Sequence, residues 1–600
     1  MSARQKLRQL RELMARSGVE AYLVPSTDPH QSEYVPVCWQ RRQWLSGFTG
    51  SAGDLLVTSK TAGLWTDGRY FLQASEELRG SGIKLMKQGI VGTPSIAEWV
   101  ARNLAQGQVL AADPRVLSQG QVEELQRHLE MAGARLRLLD RNLVDQIWSD
   151  RPVPSKAAIE ILPKQCAGEG LGSKLRRLRK EMTSRRVAAH VLTTLDAIAW
   201  LFNIRSDDVD YNPVAIAYAI VTHEHALLFT DLDKVSAGVA RSLGRNAQAK
   251  VGLRAYADVG AELARLNKAR ARVWVDGRTA NAWVLGKLSR CDLVTEMTPI
   301  ARMKARKNEA EIAGSRAAHL RDGVAMVRFL HWLEQAVPGG GVTELTAASR
   351  LAALRAEGEH HRGESFEAIV GYGAHGAIIH YGASEATDVD LRPEGILLVD
   401  SGGQYLDGTT DITRTVLLGE QATDEQRDRF TRVLRGHIAI ARARFPAGTP
   451  GRQIDTLART ALWEVGLNYN HGTGHGVGAY LSVHEGPQSI SPTRCIGVPL
   501  EPGNILSNEP GFYKEGEFGI RIENLVLVQP DRELSDTQSS WLRFEELTLC
   551  PIDARLVDPA MLTDEERKWL NDYHRRVREE LTPLLGRPEA AWLERATSSV

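Results

Sequence analysis

Two internal repeats, one in each half of the chain, restrict what it can fold into more than any single motif does. "KLRQLRELMARSGVEAYLV" (Lys6 to Val24) and "KLRRLRKEMTSRRVAAHVL" (Lys174 to Leu192) each place an amphipathic helix before a β-type run. Downstream of each, a further apolar run ends in an aromatic-Thr-Asp triplet, Trp65-Thr66-Asp67 and Phe229-Thr230-Asp231. Two similar α/β domains follow from this pattern. In the C-terminal half, "VPGGGVTELTAASRLAALRAEG" ends at Gly358 and "FPAGTPGRQIDTLARTALWEVG" ends at Gly466, with Pro338 and Pro446 at the same offset. Each is a Pro/Gly break between helices, followed by β-type alternation. That half reads as two α/β halves related by a pseudo-two-fold, with a cleft between them.

A chain of 600 residues is too long for one hydrophobic core, so two or three domains are expected. Boundaries are placed at the proline-bearing "RPVPSK" (Arg151 to Lys156) and at "PIARMKARK" (Pro299 to Lys307). This divides the chain into domains of residues 1–153, 154–300 and 301–600, the last with a C-terminal extension from about 540. Within that extension, "TDEERKWLNDYHRRVREELTPLL" reads as a helix with Thr563 and Asp564 as cap candidates.

Lys plus Arg and Asp plus Glu are each 74, so the formal charge is zero and no nucleic-acid or acidic-membrane partner is expected. The five cysteines, Cys38, Cys166, Cys291, Cys495 and Cys550, are scattered without a C-x-x-C pair, which argues against a disulfide framework or thiolate zinc. The N-terminal stretch is a charged helix pattern, unlike a signal peptide, and no long apolar run occurs. A cytoplasmic protein is the expectation.

The chemistry gathers after residue 395. "GILLVDSGGQYLDGTTDITRTVLL" (Gly395 to Leu418) reads as a strand, a Gly/Asp-rich turn between Gly403 and Gly408, and a second strand. Asp400 and Asp411 lie roughly symmetrically about that turn, so their carboxylates are expected to oppose each other on one face. Two such carboxylates in an apolar hairpin repel, and a cation between them or a shared proton relieves this. Three further donors follow: His475 in "HGTGHGVG", Glu509 in "LSNEPGFY" and Glu523 in "FGIRIENLVLV". Four carboxylates and one imidazole form a hard donor set that suits a pair of Mn, Co, Fe or Zn ions.

In order and in local context ("VDSGG", "DITRT", "GHGVG", "NEPG", "RIEN") these five residues resemble the dinuclear site of the pita-bread metallopeptidases. Three further segments narrow the resemblance: "VPSTDPHQSEYVPVCWQRRQWLSGFTGSAG" (Val24 to Gly53), "LWTDGRYFLQA" (Leu64 to Ala74) and "GAIIHYGAS" (Gly376 to Ser384). They are similar to the long, three-domain, cytosolic Xaa-Pro aminopeptidases over nearly the whole chain. The implied fold is two small creatinase-N-like α/β domains followed by a pita-bread domain.

The resemblance also implies roles. Asp411 and Glu523 would bridge two divalent ions, Asp400 would complete one shell, and His475 and Glu509 the other. Glu509 lies where the family's general base lies. His380 ("IIHYG") and His484 ("SVHEGP") match its two non-ligand histidines, which bind substrate and steady the carbonyl oxygen, and Arg521 matches a supporting arginine. The ions would be Mn²⁺ first, with Co²⁺ or Zn²⁺ also accommodated, and the assembly a homodimer. The implied reaction is removal of the first residue from peptides with proline second. Prolidase, a creatinase-type hydrolase and a metal-free scaffold are the rival readings.

The other histidines carry no such match. His471 is expected to be structural, and the adjacent pair His360 and His361 to lie in a loop or at the surface. His375 stands where this family would lead one to expect Asn, close to His380 at the rim of the pocket.

Overall fold

The aromatic-Thr-Asp triplets do the same job twice. In a computed structural model, which describes residues 1–244, 250–493 and 497–600, each triplet ends a strand and turns the chain. Thr66 Oγ1 donates to Ala52 O at 2.6 Å and Thr230 Oγ1 to Ile216 O at 3.0 Å. Asp67 then caps the turn Gly68–Tyr70 and Asp231 the turn Leu232–Lys234, each accepting a backbone N–H two residues on. The repeat is therefore a local hydrogen-bond device used in both copies as well as a hydrophobic pattern.

These segments belong to one compact unit, Met1–Pro163 with Glu169–Ala301. It holds two six-stranded sheets. The first runs Lys84–Lys87, Ala62–Thr66, Asp54–Thr58, Ala21–Val24, Val109–Ala112, Arg135–Leu138. The second runs Val251–Ala255, Ala226–Thr230, Ala217–Thr222, Ala189–Leu192, Arg272–Val275, Asp292–Val294. Position by position, the antiparallel and parallel pairings agree. The amphipathic helices of the repeat, Ala3–Arg16 and Leu171–Ser184, precede the central strands and bury Leu7, Leu10 and Met14, and Leu175, Leu178 and Met182.

The second unit comprises Lys164–Gly168 and Arg302–Val600. Its repeat appears as two helix pairs, Glu309–Ala336 with Glu344–Ala356 and Asp424–Ala441 with Gly451–Trp463. Pro338 lies in a single turn, Val337–Gly339, whereas Pro446 ends a short edge strand, Arg444–Pro446. The first helix pair precedes the antiparallel strands Ile369–Tyr372, Ile396–Ser401 and Ile412–Leu417. The second precedes most of a six-stranded sheet that includes Gly474–Gly476, Glu485–Ile490, Ile505–Asn508 and Asn524–Asp531. One large core joins Phe329, Leu351, Val399, Ile412, Val433 and Ile522. The C-terminal helix Asp564–Leu581, with Thr563 as its cap, adds Leu570, Val577 and Leu581 to it.

The hairpin that carries the two aspartates differs from the expectation in register. Asp400 faces Thr413, Gln404 faces Thr409, and Tyr405 faces Gly408, so the loop is Leu406–Asp407. The turn thus falls one residue late for direct opposition, and Asp411 becomes a diagonal neighbour of Asp400 on the same face. Among the described residues no helix is long and apolar enough to cross a membrane. Cys38, Cys291 and Cys550 are free thiols, and Cys495 lies outside the described residues.

Candidate metal centre

Both halves of the second unit contribute donors. Asp400 is the penultimate residue of the strand Ile396–Ser401 and Asp411 immediately precedes Ile412–Leu417; His475 sits in Gly474–Gly476, while Glu509 directly follows Ile505–Asn508 and Glu523 directly precedes Asn524–Asp531. Ligand-type atoms of Asp411, His475 and Glu523 all lie within 4.8 Å of one another. His475 Nε2 is 3.4 Å from Asp411 Oδ2 and 3.6 Å from Glu509 Oε1. Its Nδ1 lies 2.9 Å from Gly476 O, and a carbonyl only accepts, so that nitrogen carries the proton. The Nε2 lone pair is thereby left facing the carboxylates, as a metal ligand requires.

The glycines beside His475 are there for space. A Cβ on Gly474 would lie 1.9 Å from Ser507 O, and one on Gly476 2.3 Å from Glu485 O. The strand register shifts between His475 and Gly476, which is a bulge that aims the imidazole at the carboxylates.

Without a counter-ion the carboxylates resist ionisation. Burial, then the Asp400 charge, pushes Asp411 up to about 8. Burial, then Asp411, Asp400 and Glu509, raises Glu523 far above the usual carboxylate range, and burial raises Glu509 too. Asp400 Oδ1 is buried with no hydrogen-bond partner. An orphaned buried oxygen within a crowd of destabilised carboxylates and an oriented imidazole is what a site for divalent cations provides, and the donor set fits one.

Arg521 organises one side. It donates to Asp400 Oδ2 at 2.5 Å, to Tyr513 Oη at 2.8 Å, to Thr413 Oγ1 at 3.2 Å and to Ile379 O at 3.4 Å. The Ile379 carbonyl ties the residue before His380 to the same guanidinium. Thr413 Oγ1 in turn donates to Glu523 Oε2 at 2.7 Å. On the other side Ser507 Oγ accepts from His475 N at 2.9 Å and donates to Glu509 Oε1 at 3.1 Å. His484 packs edge-on against His475, ring centroids 4.3 Å apart. Its neighbour Glu485 is buried with Lys304 on Oε2 at 2.6 Å and Lys307 on Oε1.

The sequence brought forward the five donors, both extra histidines and Arg521, and these residues gather in the one unit. It did not bring forward Thr413, Ser507, Tyr513 or the Lys304–Glu485–Lys307 cluster. Thr413 had a signal, since it shares a strand face with Asp411 at period two. Tyr513 meets Arg521 across a short hairpin, whereas the lysines meet Glu485 from far along the chain, which no local pattern announces. His471, expected to be structural, accepts from Tyr513 Oη at 2.9 Å and so supports Arg521 at one remove. His361 lies on the short strand His361–Glu364 and His360 in the turn before it.

Comparison with known proteins agrees with this geometry. The model of metallopeptidase family M24 matches residues 313–530, with a C-terminal region of the same family over 540–600. Creatinase/Prolidase N-terminal domain models match 6–141 and 150–311. A protein of Neosartorya fischeri named probable Xaa-Pro aminopeptidase P is 41% identical over 99% of this chain and 92% of its own. One from Paracoccidioides brasiliensis with the same name is 41% identical over 99% of both chains. The crystal structure of X-prolyl aminopeptidase from Caenorhabditis elegans, described as a cytosolic enzyme with a di-nuclear active site, superposes with a TM-score of 0.96 at 36% identity over the whole of both chains.

Proposed function

This chain belongs to the Xaa-Pro aminopeptidases P of metallopeptidase family M24, and we propose that it hydrolyses the bond before proline in peptides whose second residue is proline, releasing the first residue. Proline at that position has no amide donor and a fixed φ, so a dedicated pocket is needed. The observation that carries the reading is the convergence of Asp411, His475 and Glu523 on one point, with Asp400 and Glu509 beside them.

Two divalent ions would be held by Asp411, Glu523, Asp400, His475 and Glu509. Bound there, they supply Lewis-acid polarisation of water and of the scissile carbonyl. The chain's own residues do the rest. Glu509, whose affinity for a proton burial has raised, takes a proton from the attacking water and delivers it to the departing proline nitrogen. His380 and His484 bind the substrate and donate to the carbonyl oxygen as charge develops on it. Arg521 and Thr413 keep Asp400 and Glu523 in place.

The hard, oxygen-rich donors favour Mn²⁺, with Co²⁺ or Zn²⁺ as alternatives. The reading extends to a cytosolic homodimer, with domains at 1–153, 154–300 and 301–600; the two matching sheets support the first two of these. The test is hydrolysis of Arg-Pro-Pro and of an Xaa-Pro dipeptide by apoprotein refilled with Mn²⁺, Co²⁺ or Zn²⁺ in turn. Cleavage of the tripeptide is expected. Activity on the dipeptide alone would assign a prolidase, and full activity in Asp411→Ala would refute the metal mechanism.

A further inference from the structure

His380 stands between two anchored neighbours. On one side the Ile379 carbonyl accepts from Arg521. On the other, Tyr381 Oη donates to Glu344 Oε2 at 2.7 Å. Glu344 is the first residue of the helix Glu344–Ala356 and is fully buried. Its carboxylate also accepts from the Tyr372 N–H at 2.7 Å, and His375 Nδ1 lies 2.9 and 3.0 Å from its two oxygens. The His375 ring stacks on the Tyr381 ring, centroids 4.4 Å apart and 26° between planes. A carboxylate at a helix N-terminus with donors converging on both oxygens is an immobile post.

The segment between these anchors has little freedom. His375 O accepts from Ile378 N at 3.0 Å, and Ile378 O from Tyr381 N at 3.1 Å. The turn Gly373–Ala377 is pressed so closely on the strand Phe518–Arg521 that a Cβ on Gly519 would lie 1.7 Å from Gly376 O. None of Glu344, His375 and Tyr381 belongs to the donor set, yet together they anchor the segment that carries His380.

We propose that Glu344, His375 and Tyr381 form a positioning unit for His380, setting its place against the substrate's carbonyl oxygen. The inference rests on the aminopeptidase reading above. A stitch that merely held the loop folded would affect stability; a positioning unit affects turnover through His380 and through nothing else. His375→Asn preserves the role, because an Asn Nδ2 occupies nearly the place of His Nδ1.

The test is a coupling experiment on the metal-loaded full chain with Arg-Pro-Pro. Tyr381→Phe and His375→Ala are each expected to lower kcat about ten-fold with KM nearly constant, since small misplacements of an oriented group cost one to two orders of magnitude. In a His380→Ala background the same changes should cost less than about two-fold, because the group they position is gone. His375→Asn should recover most of what His375→Ala loses. An unchanged kcat in both single variants, or an equal loss with and without His380, would overturn the proposal. Thermal midpoint and metal content are read for every variant, and His375→Ala, at a partly exposed position, serves if Tyr381→Phe does not fold. A wild-type protein inert toward Arg-Pro-Pro would count against the aminopeptidase reading itself, before any variant is compared.

Discussion

Two histidines, one in each unit, set a structural imidazole beside a candidate metal ligand. His190, in the second sheet of the N-terminal unit, lies 2.9 Å from Trp274 O by Nδ1 and 2.9 Å from Thr298 Oγ1 by Nε2. Both nitrogens meet neutral partners, and burial lowers the ring to about 4. His475 has the same carbonyl contact at Nδ1, but its Nε2 faces Asp411 and Glu509. His190 is fully buried and His475 only partly, but depth does not decide what each ring can do. The charge opposite the second nitrogen does.

The largest expected effect reverses between the two positions. His475→Ala should lower kcat/KM by on the order of 10³-fold or more, about 4 kcal/mol of transition-state stabilisation, and reduce bound metal seen by elemental analysis. His190→Ala should leave the specific activity of the folded fraction unchanged while lowering the unfolding midpoint. If His190→Ala removed activity without destabilising the chain, the contrast would fail.

Acid sharpens the same contrast. His190 is about 4 when folded and near 6.5 when unfolded, so below 6.5 the unfolded state binds a proton that the folded state refuses. Its contribution is constant above pH 6.5 and turns unfavourable as pH falls toward 4, by up to about 3 kcal/mol. Denaturant titrations between pH 7 and 4 should show this loss, and His190→Gln should flatten it.

Smaller effects belong to the residues behind the donors. Arg521→Lys keeps the charge but loses the fork that joins Asp400, Tyr513 and Thr413, and should cost about 10- to 100-fold in kcat/KM or in metal affinity. Thr413→Val removes the hydrogen bond to Glu523 and the longer one from Arg521, and should cost about 1 to 2 kcal/mol, read as a several-fold weaker metal affinity by competition with a chelator.

Much of this architecture was legible because it is local. The twin helices, the aromatic-Thr-Asp triplets and the Thr563 cap are short-range patterns with a direct physical reading. The candidate donors could be picked out because each is a carboxylate or an imidazole beside turn residues or in a strand. Register was less so: the Asp400 hairpin closes one residue later than symmetry about its glycines suggested, because the loop is Leu406–Asp407 and Gly408 packs against the helix at Ser315 and Ala318. The partners of Arg521 and of Glu485 come from distant segments, and periodicity is silent about them. His471 likewise meets Tyr513, a partner 42 residues along the chain.

The two lysines on Glu485 bear on where this polypeptide can be cut. The long helix Glu309–Ala336 looks like a natural starting point for an excised catalytic half, yet Lys304 and Lys307 precede it and lie in the interior beside the residue that follows His484. A fragment beginning at Glu309 would strand the Glu485 carboxylate in a dry interior, at a cost of several kcal/mol. One beginning at Arg302 would retain both cations. The usable boundary for dissecting the molecule is therefore set by buried charge, several residues ahead of the first long helix.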